Sequence, residues 1–424
     1  MKYFQLEHHQ STLKTEVLAG MTSYFTIVYI VVVNATILAD AGIPLTAGVI
    51  ATILTSLVGC LLMAFWANAP IILVPGMGVN ALFTYTIVQS MGLSWQSALM
   101  AVFISGILFM ITAFTRLSRL LAVAVPTSLK DSITVGIGLF LTFIGLQKGG
   151  LITSNSTTFV TLGELSAPST LLTVFSLVLT IFLFVRQVRG HFLIAIVVTT
   201  LLSILLGIQP SEVSAVPSLS WSEYSTVFAS FSIAQIQDLT FWVATFSLTM
   251  VLVFENMGLI YGLLGEQGQK FGRAYQANAI SAMTAGLFGT SPTVSTVESA
   301  AGIASGGRTG LTALTTGLMF LLVIPFISYI HLIPDAAIAP ILIVIGGLML
   351  QHVKNIPFDD LSEGFPAFLI IVLIPFTYSI TDGIAFGFIA YPLIKVAMGK
   401  GKEISLPLYI IAGMFIAYFL LHVI

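Results

Sequence analysis

Apolar runs of about 17–25 residues, the length a helix needs to cross the hydrocarbon core of a bilayer, recur along almost the whole chain. Only 8% of the 424 residues are charged, whereas ordinary globular proteins carry about 25%. Most of the surface therefore cannot face water. The sequence predicts an all-α polytopic membrane protein in which any function lies within the membrane.

The apolar runs predict about fourteen membrane spans. The candidate segments are 16–40, 45–66, 71–91, 95–114, 131–147, 170–186, 191–207, 238–264, 273–290, 292–305, 311–331, 335–350, 365–380, 382–397 and 404–423. Near the C-terminus two alternatives stay open. Either 365–397 is one span broken at Thr381, Asp382 and Gly383, or it is a hairpin, which raises the count to fifteen.

Basic residues predict the orientation of the chain. They precede the first span at Lys2 and Lys14, and they follow alternate spans at Arg116, Arg119, Lys130, Arg186, Arg189, Lys270, Arg273 and Arg308. Cytoplasmic loops are enriched in Lys and Arg, so the N-terminus is predicted to be cytoplasmic in the plasma membrane. Lys148, which follows the fifth span, is an exception. Lys395, Lys400 and Lys402 fall inside only if 365–397 is a hairpin.

The chain divides near its middle. Residues 208–237 form a polar stretch without Lys or Arg, which contains Pro210, Glu212, Pro217 and Glu223. We predict that this stretch is an extracellular linker between a first seven-span repeat, 1–207, and a second, 238–424. Because seven is odd, the second repeat must insert upside down relative to the first.

Two segments at matching positions of the halves interrupt the helical pattern with Gly and Pro. They are 68–80 (NAPIILVPGMGVN) and 289–302 (GTSPTVSTVESAAG). Paired interruptions of this kind indicate the binding site of an inverted-repeat transporter. The alternative is that the prolines only kink two packed helices.

Two carboxylates lie deep in predicted membrane segments: Glu255 in 238–264 and Glu298 in the second interrupted segment. A charge at the bilayer centre costs at least ~2.5–3.5 kcal/mol, so each needs a function or a buried partner. The alternative is a pair of buried acids that serve packing only. Asp131 and Asp335 are predicted to cap helix starts, whereas Asp382 suits either capping or function.

Such a site favours a flat polar solute that carries donors and acceptors along its edge. Interrupted helices leave backbone groups unpaired within the membrane, and carboxylates accept from ring N–H or amino groups. Neither interrupted segment contains Arg or Lys, which an inorganic anion would require. Carboxyl groups removed from water exchange protons nearer neutral pH than exposed ones, which is consistent with proton-coupled symport without a cofactor.

Other classes of protein lack support in the sequence. No nucleotide-binding glycine-rich motif indicates ATP-driven transport, and the single cysteine, Cys60, can form neither an internal disulfide nor a metal cluster. No basic patch indicates nucleic acid. The loops contain no nucleophile and base set for a membrane enzyme. An anion transporter or channel of the same inverted-repeat architecture remains the main alternative.

Several motifs resemble the nucleobase–cation symporters, specifically the AzgA-like branch of purine permeases. They are 21–30 (MTSYFTIVYI) with Asn34, 75–81 (PGMGVNA), 288–291 (FGTS), 297–303 (VESAAGI), 306–311 (GGRTGL) and 375–384 (PFTYSITDGI). The resemblance covers about residues 10–397. Among these motifs, 297–303 followed by 306–311 is quite specific.

The resemblance implies two inverted seven-helix repeats, with a core domain from spans 1–4 and 8–11 and a gate domain from spans 5–7 and 12–14. Short strands would open the third and tenth segments, and a homodimer is common in this fold. Purine would bind between the strands, with proton, or sodium in its place, as the coupling ion. The residues implied to bind substrate are Glu255, Glu298, Asn34, Val74, Thr293 and Val294, and Glu298 and Glu255 would also couple protons.

One motif departs from the AzgA-like pattern. The branch usually has Phe-Asp-Thr-x-Gly-Thr on the eighth span, whereas this chain has 254–259 (FENMGL). An ionised Glu255 accepts well from the N1–H and amino group of guanine or from the N1–H of hypoxanthine. Adenine has no N1–H, so we expect an oxopurine substrate.

Overall fold

The computed structural model describes residues 3–115, 117, 124–208, 221–264 and 268–423. Helices and three short strands make up its first half. They are α1 (Leu13–Ile27), α2 (Ile30–Asp40), α3 (Leu45–Leu62), β1 (Leu73–Pro75), α4 (Met77–Ala81), α5 (Trp95–Phe114), α6 (Thr127–Lys148), β2 (Ile152–Asn155), β3 (Phe159–Leu162), α7 (Pro168–Val185) and α8 (His191–Leu205). π-Helical turns extend α3 over Met63–Ala67 and α4 over Leu82–Ser90.

The second half repeats the pattern of long helices with one interrupted element. Its elements are α9 (Trp221–Ser225), α10 (Leu239–Leu264), α11 (Gly268–Phe288), β4 (Thr293–Ser295), α12 (Ser299–Ala304), α13 (Gly310–Phe320), α14 (Asp335–Met349), α15 (Leu361–Thr377), α16 (Ile380–Ala397) and α17 (Leu406–Val423). Stretches of 3₁₀-helix cover Leu321–Leu332, Leu350–Asn355 and Gly401–Glu403.

The predicted all-α membrane class is confirmed. Within the described ranges, nine helical stretches are long and apolar enough to cross a membrane by themselves. That criterion leaves the count of about fourteen spans a prediction. Some residues used for the orientation and for the linker lie outside the described residues, namely Lys2, Arg116, Arg119, Pro210, Glu212 and Pro217.

Side-chain caps begin several helices, as helices in lipid require because water is absent to bond their first N–H groups. Thr12 caps α1, Ser94 caps α5, and Ser379 caps α16 by accepting from the backbone N–H of Asp382. Asp360 caps α15 from the loop before it, and the Ser362 hydroxyl and N–H, followed by Lys400, lower the pKa of this carboxyl to about 2.

The interrupted segments form strands because their prolines and glycines cannot continue a helix. β1 and β4 pair antiparallel, with Val74 opposite Val294. The Gly76 N–H donates to the Pro292 carbonyl at 3.2 Å and extends the pairing. Proline has no N–H to donate, which limits the ladder to three residues on each side. The short strands predicted for the third and tenth segments are confirmed.

Contacts group the elements into two bundles. The first bundle contains α1–α5 and α10–α13 with β1 and β4, and the second contains α6–α8 and α14–α17. Helix α1 packs on α13 and α10 packs on α5; likewise α15 packs on α6 and α7 on α14. In both cases, replacing each helix by its counterpart in the other half of the chain converts the first packing pair into the second. An inverted repeat produces this kind of packing.

The second bundle is held together by a close approach of α6 and α14. A Cβ added at Gly346 would lie 2.2 Å from the carbonyl oxygen of Gly138. Only glycine allows backbones this close, as at other helix contacts in membranes. Asp131 lies past the first turn of α6 and contacts His352 Nδ1 at 2.9 Å. The prediction that Asp131 caps its helix was therefore wrong, since α6 begins four residues earlier than expected.

Helices α15 and α16 form an antiparallel hairpin. The Lys395 ammonium lies 2.8 Å from Glu363, and the Tyr391 hydroxyl donates to the same carboxylate at 2.7 Å. These contacts join the start of α15 to the end of α16. The hairpin alternative is therefore correct. For this alternative the sequence predicted fifteen membrane spans.

The hairpin also decides where the C-terminal lysines lie. Lys400 contacts Asp360 at 3.2 Å, and Ser405 donates to the carbonyl of Ala124, just before α6. This end of the hairpin thus lies on the side of the molecule where α1 and α6 begin, which we call the N-terminal face. The other side is called the opposite face.

Candidate functional site

The paired strands β1 and β4 place two backbone segments from the two halves side by side in the interior. All three residues of each strand are buried. The Thr293 hydroxyl lies 2.7 Å from that of Ser281 on α11. The Ile72 N–H, one residue before β1, donates to the Ser299 hydroxyl at 3.0 Å. These bonds hold the two interrupted segments together at one place.

Glu255 lies next to a residue that binds β4 to α10. The Asn256 side-chain oxygen accepts from the Ser295 N–H at 2.8 Å and also from the Asn278 amide. Asn278 in turn donates to the Ser295 hydroxyl at 3.2 Å. Glu255 is thus one residue away from the contact that joins α10 to β4. Its Oε2 is buried and has no hydrogen-bond partner among the described residues.

Glu298 follows β4 in the chain and lies immediately before α12. Its Oε1 accepts from the Tyr29 hydroxyl at 2.7 Å. Tyr29 lies at the break between α1 and α2, is 2% exposed, and packs its ring against Phe192 of α8 at 4.8 Å. This contact connects the acid to both bundles, because α8 belongs to the second bundle.

Asn34 is completely buried beside the site, and its side chain is already engaged. Its amide nitrogen donates to the hydroxyls of Thr52 at 2.7 Å and Thr290 at 2.9 Å. Its amide oxygen accepts from Ser291 at 3.1 Å. These bonds hold the start of the second interruption against α2 and α3. A direct contact with substrate would require one of them to break, so binding by Asn34 stays a prediction.

The site contains acids without basic partners. Ion pairs among the described residues involve Lys148, Lys395, Lys400 and His352, and none includes Glu255 or Glu298. An unpaired buried carboxylate is costly, and such groups inside membranes are typically functional. The site is therefore suited to a ligand that donates hydrogen bonds.

Comparison with known proteins identifies the family. The family model described as "Permease family" (Xan_ur_permease) matches residues 14–386. The chain belongs to this permease family. The resemblance predicted from motifs in the sequence is thereby confirmed, and the protein is a permease rather than an enzyme.

Curated relatives cover almost all of the permease. It is 48% identical over 386 residues to the nucleobase transporter PlAzg2 of Paenibacillus larvae, with 90% of this chain and 78% of that protein aligned. It is 39% identical to the guanine/hypoxanthine permease PbuO of Bacillus subtilis, covering 99% of this chain and 100% of that protein. It is 38% identical to the adenine permease AdeP of Escherichia coli, covering 98% and 94% respectively.

Solved structures show the same fold as the permease. The transmembrane domain of the cyanobacterial bicarbonate transporter BicA aligns with a TM-score of 0.66 at 18% identity, over 88% of this chain and 97% of that domain. SLC26A9 aligns with a TM-score of 0.66 at 14% identity, over 91% of this chain and 65% of that protein. At these identities the likeness concerns the fold alone.

The structure brings most of the predicted site residues of the permease together. Val74, Thr293 and Val294 lie in the strand pair. Glu298 follows β4 by three residues, and Glu255 is the neighbour of Asn256, which binds the last residue of β4. Sequence reasoning missed Tyr29. The residue type carries no signal, since the chain has 12 tyrosines, but Tyr29 falls inside the motif 21–30, which could have singled it out.

Proposed function

We propose that this permease imports purine nucleobases, most favourably guanine or hypoxanthine, together with protons. The observation that carries the proposal is the Glu255 carboxylate, whose buried Oε2 has no hydrogen-bond partner among the described residues. None of the ion pairs among the described residues includes it, so a neutral donor edge is a suitable partner. The names of the relatives support a purine as that partner.

Guanine offers the carboxylate two donors, N1–H and the 2-amino group, and hypoxanthine offers N1–H. A pair of hydrogen bonds to a charged acceptor is stronger than neutral bonds and fixes orientation. The short strands β1 and β4 contribute main-chain groups near Val74, Thr293 and Val294. Adenine lacks N1–H, and this difference supports the preference for oxopurines.

Glu298 is proposed as the group that couples the proton. The Tyr29 hydroxyl donates to its carboxylate at 2.7 Å, a bond that is strongest when the acid is ionised. Protonation of Glu298 weakens this bond, and Tyr29 lies against α8 of the second bundle. Proton binding can thus change how the two bundles, which we assign as core and gate domains, contact each other.

The N-terminal face is proposed to be cytoplasmic in the plasma membrane. Lys14, Lys270 and Arg308 lie on it, and so do the hairpin residues Lys395 and Lys400. With the hairpin, these last two lysines agree with the positive-inside rule if this face is cytoplasmic, which supports the proposed orientation. The opposite face, where Lys148 lies, is then extracellular.

Uptake into proteoliposomes tests the proposed function. We expect an inward proton gradient to drive accumulation of radiolabelled guanine and hypoxanthine, with adenine and uracil transported less well. A sodium gradient applied in place of the proton gradient distinguishes the two coupling ions. Folded protein that accumulates no base, or that carries chloride or bicarbonate instead, would contradict the purine assignment.

The variant Tyr29→Phe should reduce proton-driven uptake by about tenfold or more, because a hydrogen bond to a charged group contributes about 1.5–3 kcal/mol. The fold should be retained, since the ring still packs on Phe192. Tyr24→Phe is the matched control, as Tyr24 lies in the same motif but packs on Phe320. Equal proton-driven uptake by the two variants would exclude Tyr29 from coupling.

A further inference from the structure

Lys148, the exception in the pattern of basic residues, takes part in an ion pair between the two bundles. It ends α6, and its ammonium lies 2.8 Å from Asp40 Oδ2 and 3.8 Å from Asp335 Oδ1. Asp40 ends α2 in the first bundle, whereas Lys148 and Asp335 belong to the second. The pair therefore joins the bundles at the opposite face.

The Asp40 side of the ion pair is anchored within the first bundle. The Tyr85 hydroxyl donates to Asp40 Oδ2 at 2.6 Å, and the Gln89 amide donates to the Asp40 carbonyl at 2.9 Å. Both residues lie on the π-helical turn that continues β1 and α4. Asp40 is thus bonded to the helix that follows the interrupted segment 68–80.

A second set of contacts joins the bundles just below this ion pair. The Ile380 N–H at the tip of the α15–α16 hairpin donates to the Thr86 hydroxyl at 3.0 Å. The Tyr378 ring packs on Tyr85 at 5.9 Å, and its hydroxyl lies 3.4 Å from the Gln147 side chain. The contacts from Lys148 to Thr86 form a continuous seal between the bundles, which we call the outer seal.

We propose that Asp40 and Lys148 are positioning residues that close the route to the site from the opposite face. The inference rests on the proposed function, because alternating access requires the bundles to separate on one face while they close on the other. The side chains of Lys148 and Asp40 are 16% and 29% exposed. Partly exposed ion pairs are weak, which suits a contact that must break in each transport cycle.

Accessibility of a single introduced cysteine tests the outer seal. Cys60 is the only cysteine of the chain and is fully buried, so it gives little background. Thr86 is also fully buried, beneath the hairpin tip. In Thr86→Cys protein we expect slow labelling by a membrane-impermeant maleimide applied to the opposite face. Adding Lys148→Met should accelerate it about fivefold, a factor worth about 1 kcal/mol.

Conservative variants separate closure from general stability. Lys148→Arg keeps the charge and should restore slow labelling, and the exchange of Asp40→Lys with Lys148→Asp should restore it at least in part. The melting temperature of each protein is measured in parallel, and the proposal requires labelling to change without a matching loss of stability. If Thr86→Cys protein misfolds, Thr381→Cys provides a second fully buried reporter beside the hairpin tip.

Two outcomes would overturn the proposal. The first is that folded Thr86→Cys protein is labelled at the same rate with and without the Lys148→Met substitution. The second is faster labelling from the N-terminal face only. Labelling needs no substrate, so either result is independent of whether purines are the cargo, and failure of purine uptake would leave the labelling prediction intact.

Discussion

The variant Glu255→Gln is expected to lose at least 100-fold of its purine uptake while it remains folded in the membrane. The amide of Gln would point a donor at the N1–H of the base and leave a buried donor pair unsatisfied. An unsatisfied buried polar group costs about 1–3 kcal/mol, more for a charged partner, and 2.7 kcal/mol corresponds to about 100-fold in binding. Uptake of guanine and hypoxanthine into proteoliposomes measures the loss.

Glu164→Gln is the matched control for this prediction. Glu164 is an exposed acid in the loop before α7, where it contacts Ser166 at 3.0 Å. It should transport like the unmodified protein. The adjacent Asn256 is unchanged in the test variant, so β4 stays bonded to α10 and loss of uptake reports on the carboxylate. Near-normal transport by Glu255→Gln would remove Glu255 from the site.

The variant Glu16→Ala is expected to lower the free energy of unfolding more than the other variants proposed for this permease. Glu16 on α1 is fully buried, and its carboxylate accepts from the Arg308 N–H at 3.0 Å, the Thr309 N–H at 3.3 Å and the Thr312 hydroxyl at 2.6 Å. Removal leaves these donors at the start of α13 unpaired. At about 1–3 kcal/mol for each such group, the free energy of unfolding should fall by about 3 kcal/mol or more.

Thermal unfolding followed with a thiol-reactive dye measures this loss, because Cys60 is buried until the protein opens. Glu7→Ala is the matched control, since Glu7 is an exposed acid on the same face. Its melting temperature should equal that of the unmodified permease. If Glu16→Ala melted at the same temperature as the unmodified permease, water or another group would have to accept hydrogen bonds from the donors at the start of α13.

Glu16 also explains part of a motif that the sequence singled out without a role. Residues 306–311 contain Arg308 and Thr309, whose N–H groups the carboxylate binds. In the sequence this motif stood out only by its similarity to the family. In the structure its backbone binds an acid almost 300 positions earlier in the chain.

The main parts of the candidate site were predictable because their signals are local. Two prolines and two glycines in 68–80, and Pro292 in 289–302, disfavour a continuous helix, and the structure contains β1 and β4 there. The acids Glu255 and Glu298 were recognised because a carboxylate within an apolar run is costly. Neither inference required knowledge of neighbours distant in sequence.

Other features needed contacts that no local pattern encodes. The contact between Glu363 and Lys395 decided that α15 and α16 form a hairpin, although the sequence allowed a single broken span equally well. Asp131 was expected to cap a helix but contacts His352, 221 positions away. Lys148 does not fit the charge pattern of the sequence, and only the structure shows that it forms an ion pair with Asp40.

The sequence by itself determined that the chain is a polytopic membrane permease, where its two interruptions lie and which acids stand in the membrane. These follow from solvation and helix geometry, which act on each segment separately. Only the tertiary structure decided which group satisfies each buried polar atom, as Tyr29 does for Glu298 and Asn256 for β4. The physical reason is that in a medium without water a polar group bonds to whatever packing brings within about 3 Å.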